Sequence, residues 1–164
     1  MKNKGFTLVE LIIVVAIIAL LAAATFVAVN PAKRIGEAQN SQRWSDITSI
    51  ADAYITYMAD NSGVDHTNVT VGTCYEIDEA GGTNGAGDAN CVASSTCAGA
   101  VGASNDLDLE FLVTGGYIGR IPYDPSSRDG TTTTGYYFNR LSNGILEVGT
   151  CTTYNAVTNI KVIR

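Results

Sequence analysis

Histidine occurs once in the 164 residues, at position 66, and the ten Lys and Arg residues are outnumbered by sixteen Asp and Glu, giving a formal charge of -6. A single imidazole excludes paired-histidine metal sites, and it leaves no Ser/His/Asp set in a plausible frame for nucleophilic catalysis. No Gly-rich phosphate loop is present either. The shortage of basic residues removes the footprint with which proteins grip phosphate backbones, so direct nucleic acid binding is not expected. The four cysteines (Cys74, Cys91, Cys97, Cys151) show no C-x-x-C spacing and no second cysteine or histidine pair that would complete a zinc set. The sequence therefore leads to a protein that is not an enzyme, with no catalytic residue, metal or cofactor expected.

What the sequence does have is a long apolar stretch near its start. Lys2 and Lys4 precede a run from Phe6 to Val29 that is uncharged from Leu11 onward. About 24 residues at roughly 1.5 Å each span a hydrocarbon core of about 30 Å. Glu10 lies inside this run, where an acidic group costs a few kcal/mol and needs a partner. Cutting the chain after Gly5 would create one, because Phe6 would then carry a charged amine four residues from Glu10, and every copy of the chain would carry the same amine. An ordinary secretory signal cut near Ala22-Ala23-Ala24 fits less well, since such signals have shorter apolar cores without an acidic residue. A permanently anchored single span leaves Glu10 unexplained.

At Lys4-Gly5-Phe6-Thr7-Leu8-Val9-Glu10-Leu11 the chain resembles the type IV prepilins and type II secretion pseudopilins, whose class III leader ends in Gly before Phe-Thr-Leu-Val-Glu-Leu. The resemblance covers about the first 30 residues. It implies cleavage between Gly5 and Phe6 by a prepilin peptidase, N-methylation of Phe6, and an assembly role for Glu10 with the Phe6 amine. It further implies partners in the inner-membrane assembly machinery and in other copies of the chain, joined as a helical filament. The precursor would sit in the cytoplasmic membrane and the product at the cell surface.

Beyond Val29, Asn30-Pro31 should kink or locally open the helix, because Pro31 lacks an N–H and clashes with the carbonyl of Val27. From Ala32 to about Asp60, Ile35, Ala38, Ile47, Ile50, Ala51, Tyr54, Tyr57 and Met58 recur mostly at three- and four-residue steps, which marks one buried face. Lys33, Arg34, Glu37, Gln42, Arg43 and Asp46 fall largely off it. Trp44, Tyr54 and Tyr57 read as core or subunit contacts rather than an electron-carrying stripe. Asn61-Ser62-Gly63 ends the helix.

The exported remainder reads as β-rich. Val69, Val71, Tyr75 and Ile77 alternate as in a half-buried first strand. His66 is expected to be a solvated loop residue, and Asn68-Val69-Thr70 a chance match to a glycosylation acceptor. The segment from Asp78 to about Ser104, rich in Gly, Ala, Ser, Asn and Thr, cannot bury enough to order itself. Its Asp78, Glu79 and Asp88 lack the ligand spacing of an EF-hand and read as an acidic surface loop. An even number of exported cysteines predicts two disulfides. Of the three pairings, Cys74 to Cys91 with Cys97 to Cys151 would tether both ends of that segment. Asn105-Asp106 is expected to cap a short helix carrying Leu107, Phe111 and Leu112, ended by Gly115-Gly116.

The stretch from Leu107 through Asp124-Pro125 to Tyr136-Tyr137-Phe138 resembles the loop before the sheet in pilins and pseudopilins. Asn143-Gly144 between two strand-like runs predicts a hairpin, and Asn159 to Ile163 a further strand. The fold expected is α+β and type IV pilin-like: a long N-terminal helix whose second half packs on a small antiparallel sheet. Its parts are a leader (1–5), an apolar helix (6–30), an amphipathic half (31–60) and an exported domain (61–164). The function expected is the structural subunit of a type IV pilus. A pseudopilin of a type II secretion system and a monomeric membrane-anchored binding protein are the alternatives.

Overall fold

Two helices open the chain, α1 (Leu8–Val29) and α2 (Pro31–Asp60), with the single residue Asn30 between them. A residue before proline is pushed out of the right-handed helical region, and Asn tolerates the left-handed one better than most. Asn30 accordingly sits at φ 44°, ψ 77°. Pro31 then takes the first position of α2, where its missing N–H costs nothing. The Asn30 side chain accepts a hydrogen bond from the Lys33 amide at 3.3 Å, so Asn30 caps the helix it begins. The expected helix from Phe6 to about Asp60 is thus present from Leu8, with one interruption beside Pro31.

A computed structural model describes residues 5–78, 106–126, 133–154, 157 and 160–164. The chain divides into two compact units, Met1–Glu37 and Ala38–Arg164. In the first, Leu8–Ala28 is long and apolar enough to cross a membrane, and none of it is buried within the chain.

The second unit holds β1 (Thr73–Asp78), β2 (Asp106–Asp108), the short helix α3 (Glu110–Thr114), β3 (Thr133–Arg140), β4 (Leu146–Thr150) and β5 (Lys161–Ile163). They form one sheet in the order β2-β1-β3-β4-β5. The pairs β1–β3, β3–β4 and β4–β5 are antiparallel, and β2 lies parallel to β1 at one edge, so the sheet is mixed. Tyr75, Phe138, Val148 and Val162 are register partners across four strands, and all are buried. They join Ile47, Ile50, Ala51 and Tyr54 of α2 in one core. Tyr54 packs edge-on against Phe138 with ring centroids 4.8 Å apart, a favoured aromatic geometry.

Local sequence accounts for the turns. Gly144 sits at φ 84° in the β3–β4 hairpin, a conformation open to glycine, and the Asn143 side chain accepts from the Ile145 amide. Gly149 lies opposite Tyr137, and a Cβ there would overlap the tyrosine ring.

Some sequence expectations need correction. The first strand begins at Thr73 rather than Val69; Val71 is exposed, while Val69 is buried from the loop before the strand. Leu107 belongs to β2, not to a helix, because Asp108 supplies the turn into α3 by accepting the Glu110 amide at 2.7 Å. The buried face of α2 also starts later than its apolar pattern suggests. Ile35 and Ala38 are exposed, and Arg43, expected outside, is 2% exposed.

Arg43 is buried because a carboxylate is buried with it. Its Nε and Nη2 donate to the two oxygens of Asp124 at 2.7 and 2.9 Å, the bidentate geometry that suits guanidinium to carboxylate. Nη1 donates to Asn40, and Nη2 also to Ser126. Asn40 in turn bonds both backbone groups of Tyr154 that face it, and Thr152 donates to Asp124. Burial opposes charge on Asp124, but the bonds from Arg43 and Ser126 outweigh it and hold the carboxyl below the usual range. One ion pair thus fastens the 121–126 segment and the residues after β4 to α2.

Removing one partner of such a pair leaves the other charge buried and unpaired, which costs about 3–5 kcal/mol, whereas replacing both with apolar groups costs far less. Thermal melting of the full chain in detergent should therefore show Asp124→Ala strongly destabilised and Arg43→Met with Asp124→Leu closer to the parent. Equal losses in the two would show that the pair is not what holds this corner.

Candidate processing and assembly site

Thr7 and Glu10 set the start of α1. Thr7 is the N-cap, extended at φ −82°, ψ 150°, and Glu10 is the third helical residue. The Thr7 hydroxyl oxygen accepts from the Glu10 amide at 3.3 Å, and Glu10 Oε2 accepts from the Thr7 amide at 2.9 Å and from the Thr7 hydroxyl at 2.7 Å. This reciprocal capping box satisfies amides that no helical carbonyl can reach. All three bonds fall on Oε2 or the backbone, and among the described residues Oε1 accepts none. The carboxylate is half used.

Immediately before the cap, Gly5 is exposed with nothing within 4 Å of the position a Cβ would take, and Phe6 is 82% exposed. The Gly5–Phe6 bond therefore lies in exposed, non-helical chain just outside a well-capped helix. A peptidase needs an unfolded, reachable bond beside a recognisable element, and this arrangement supplies one. Sequence reasoning singled out Gly5, Phe6 and Glu10 but gave Thr7 no role. The signal was present, since Thr7-x-x-Glu10 ahead of an apolar run is the capping-box pattern.

Of the expected disulfide cysteines, Cys74 and Cys151 are described, and both are disulfide-bonded. Cys91 and Cys97 lie outside the described residues, as do Glu79 and Asp88 of the acidic loop. Cys74 pairs in register with Asn139, and Asn139 with Glu147, four residues before Cys151. Two strand spacings and four residues along a strand amount to about 16 Å. A disulfide needs Cα atoms within about 7 Å, so Cys74 and Cys151 are not bridged to each other.

Residues 1–26 match the model of the prokaryotic N-terminal methylation motif, the leader signature of type IV prepilins and pseudopilins. No curated protein and no solved structure matches the chain. The motif supports a type IV pilin-like or pseudopilin protein, and the layout of N-terminal helix and five-stranded sheet is that of a type IV pilin-like fold. Such a leader implies processing by prepilin peptidase and assembly into filaments, and with the apolar helix it supports membrane anchoring of the precursor.

His66, expected to be solvated, is instead half-buried in the connection between α2 and β1. Its ring stacks on Phe111 with centroids 3.7 Å apart and planes 1° from parallel, and it meets the Tyr57 ring edge-on. Its Nδ1 accepts the Asn68 amide at 3.3 Å. Burial lowers its pKa, against a smaller opposing pull from Asp108.

The folded state thus prefers neutral His66, whereas the unfolded chain protonates at about pH 6.5. This group's contribution is present above that pH and is lost as the pH falls below it. Burial raises the Asp46 carboxyl, whose contribution has the opposite sign in acid, so a comparison between variants is needed to isolate His66. Between pH 7 and 5 the parent chain should lose melting temperature relative to His66→Gln, which keeps an acceptor for Asn68 but does not titrate. Parallel pH profiles would show that His66 carries no such penalty.

Proposed function

We propose that this chain is the structural subunit of a type IV pilus filament. The observation that carries the reading is an apolar helix with no buried residue from Leu8 to Ala28 and a half-used carboxylate at its third position. Removed from lipid, some twenty apolar side chains have to be covered by something, and the hydrophobic effect favours bundling with identical helices. Cleavage between Gly5 and Phe6 leaves the Thr7–Glu10 cap intact and adds a cationic amine, N-methylated in this reading, at the helix start. The Phe6 amine of one copy then neutralises Glu10 of another through Oε1, while Oε2 goes on capping its own helix.

Such a contact is directional, because an incoming subunit has one depth at which its amine meets a carboxylate. Before assembly the same helix anchors the precursor in the cytoplasmic membrane; afterwards the fibre lies at the cell surface. The leader occupies 1–5, the filament-core helix 6–30, the amphipathic half 31–60, and the exported domain 61–164. Two disulfides, Cys74 to Cys91 and Cys97 to Cys151, tether both ends of the Gly-rich segment, one to β1 and one beside the β3–β4 hairpin. The pseudopilin reading shares all of the N-terminal chemistry and differs in where the polymer forms.

Mass spectrometry of the mature N-terminus should find a chain beginning at methylated Phe6, and electron microscopy of sheared surface material should find fibres containing it. Gly5→Val should leave an uncut chain in the membrane. Glu10→Gln separates two roles, since Gln can complete a capping box but carries no charge. It should preserve export, cleavage and fold while lowering fibre yield about tenfold or more, equivalent to at least about 1.4 kcal/mol. Normal yield from Glu10→Gln would contradict the charge-pair mechanism, and a mature chain starting at Thr25 would contradict the filament reading itself.

A further inference from the structure

The chain that follows α3 is fastened to the second unit at both ends. At its start the Ile118 amide donates to the Leu112 carbonyl at 3.2 Å. Farther on, Ile121 enters the core, and Asp124 is held by Arg43 and donates its own amide to the Thr134 carbonyl at 2.8 Å. Pro122 and Pro125 lack amide hydrogens and push the residues before them out of helical conformations, so the stretch between the two anchors stays extended. A cleft of about 210 Å³ lies between it and α2, lined by Gln42 and Asp46 of the helix and by Arg120, Pro122 and Pro125 opposite. A hollow of about 280 Å³ shares Asp46, Arg120 and Pro122 with that cleft and adds Ser49, Ile118 and Gly119. Gln42, Asp46 and Ser49 are spaced by four and three residues, which puts them on one face of α2.

Apart from Asp124, which Arg43 neutralises, the cleft carries one charge of each sign, and the two do not meet. The Tyr136 hydroxyl donates to Asp46 Oδ2 at 2.7 Å, and the Gln42 side chain bonds the same carboxylate. These contacts aim Asp46 and leave it room for another donor, since a carboxylate has about four acceptor positions. Arg120 is exposed and, among the described residues, makes no hydrogen bond or ion pair. Burial raises the Asp46 carboxyl, and Arg120 is among the groups that pull it back, so the guanidinium is near enough to act across the cleft. A simple anion drawn to Arg120 would meet Asp46, and a simple cation drawn to Asp46 would meet Arg120. A molecule bearing both an ammonium and a carboxylate satisfies the two together. The space is smaller than the roughly 300–1,000 Å³ that drug-sized ligands occupy, which limits the occupant to a small molecule. The geometry points to a binding site for a free α-amino acid with an aliphatic side chain, its carboxylate on Arg120, its ammonium on Asp46 and its side chain against Ile118 and Pro122. The site lies wholly in the second unit and does not depend on the filament reading.

Leucine is a suitable probe. Backbone-amide NMR of the full chain in detergent, titrated with L-leucine into the millimolar range, should show saturable shifts centred on Gln42, Asp46, Ser49, Gly119 and Arg120. Leucinamide, which lacks the carboxylate, and isocaproate, which lacks the ammonium, should each bind at least about tenfold more weakly. Arg120→Gln and Asp46→Asn should weaken leucine binding by a similar factor. Arg120→Gln changes an exposed side chain and should leave the melting temperature unmoved, which separates a lost contact from a lost fold, while Asp46→Asn keeps an acceptor for Tyr136. Absence of saturable shifts in the parent chain, shifts that survive both substitutions, or equally tight binding of leucinamide or isocaproate would each overturn the site.

Discussion

A carboxylate three residues into an apolar helix must be hydrogen-bonded or neutralised, and the leader region is arranged around that demand. Water meets it while the residue is exposed; in a lipid or protein environment the chain has to meet it. Thr7 does half of the work by engaging Oε2 through its amide and hydroxyl, and the same contact fixes where α1 begins. Gly5, the cap and the charge lie within six residues, Gly5 to Glu10, and in the function proposed above that closeness would couple processing to assembly, because a cut after Gly5 would free a Phe6 amine to serve as the partner of Glu10.

The second unit answers a similar demand differently. Arg43 and Asp124 are both withdrawn from water, and their mutual bidentate contact with Asn40, Ser126 and Thr152 satisfies every polar atom they bury. Asp65 plays a smaller version of this part, accepting from Tyr54 on α2 and Arg140 on β3. Apolar packing on α2 sets the core, and these charged clamps fix which loop lies where. Buried pairs of this kind contribute little net stability and much to the choice of one arrangement over others.

How much of this is legible in the sequence depends on the range over which each signal acts. The apolar helix and the Asn143-Gly144 hairpin are local patterns and are found where they are read, and the N-terminal motif is matched over residues 1–26. Leu107 fails because a three-residue strand has no period to detect, and its pairing with Ile77 is set by a partner thirty residues away. Arg43 fails for a related reason: helical periodicity sorts residues by hydrophobicity, and a buried cation looks like a surface one until Asp124 is placed beside it 81 positions later. His66 becomes a stacked ring only once Phe111 is brought over it. The Thr7–Glu10 box is the exception, a local pattern overshadowed by the more specific motif around it.

The contact at the centre of the proposed mechanism would join different copies of the chain, so it calls for a measurement blind to contacts within one copy. Fibres assembled from a mixture of subunits, half carrying 13C at the Glu10 carboxylate and half carrying 15N at the Phe6 amine, provide it by solid-state NMR. A dipolar coupling matching a separation of about 4 Å or less, the range of an ion pair, is the predicted result. Fibres that show no such coupling, with Glu10 contacting only its own Thr7, would contradict it and leave apolar packing alone to drive assembly.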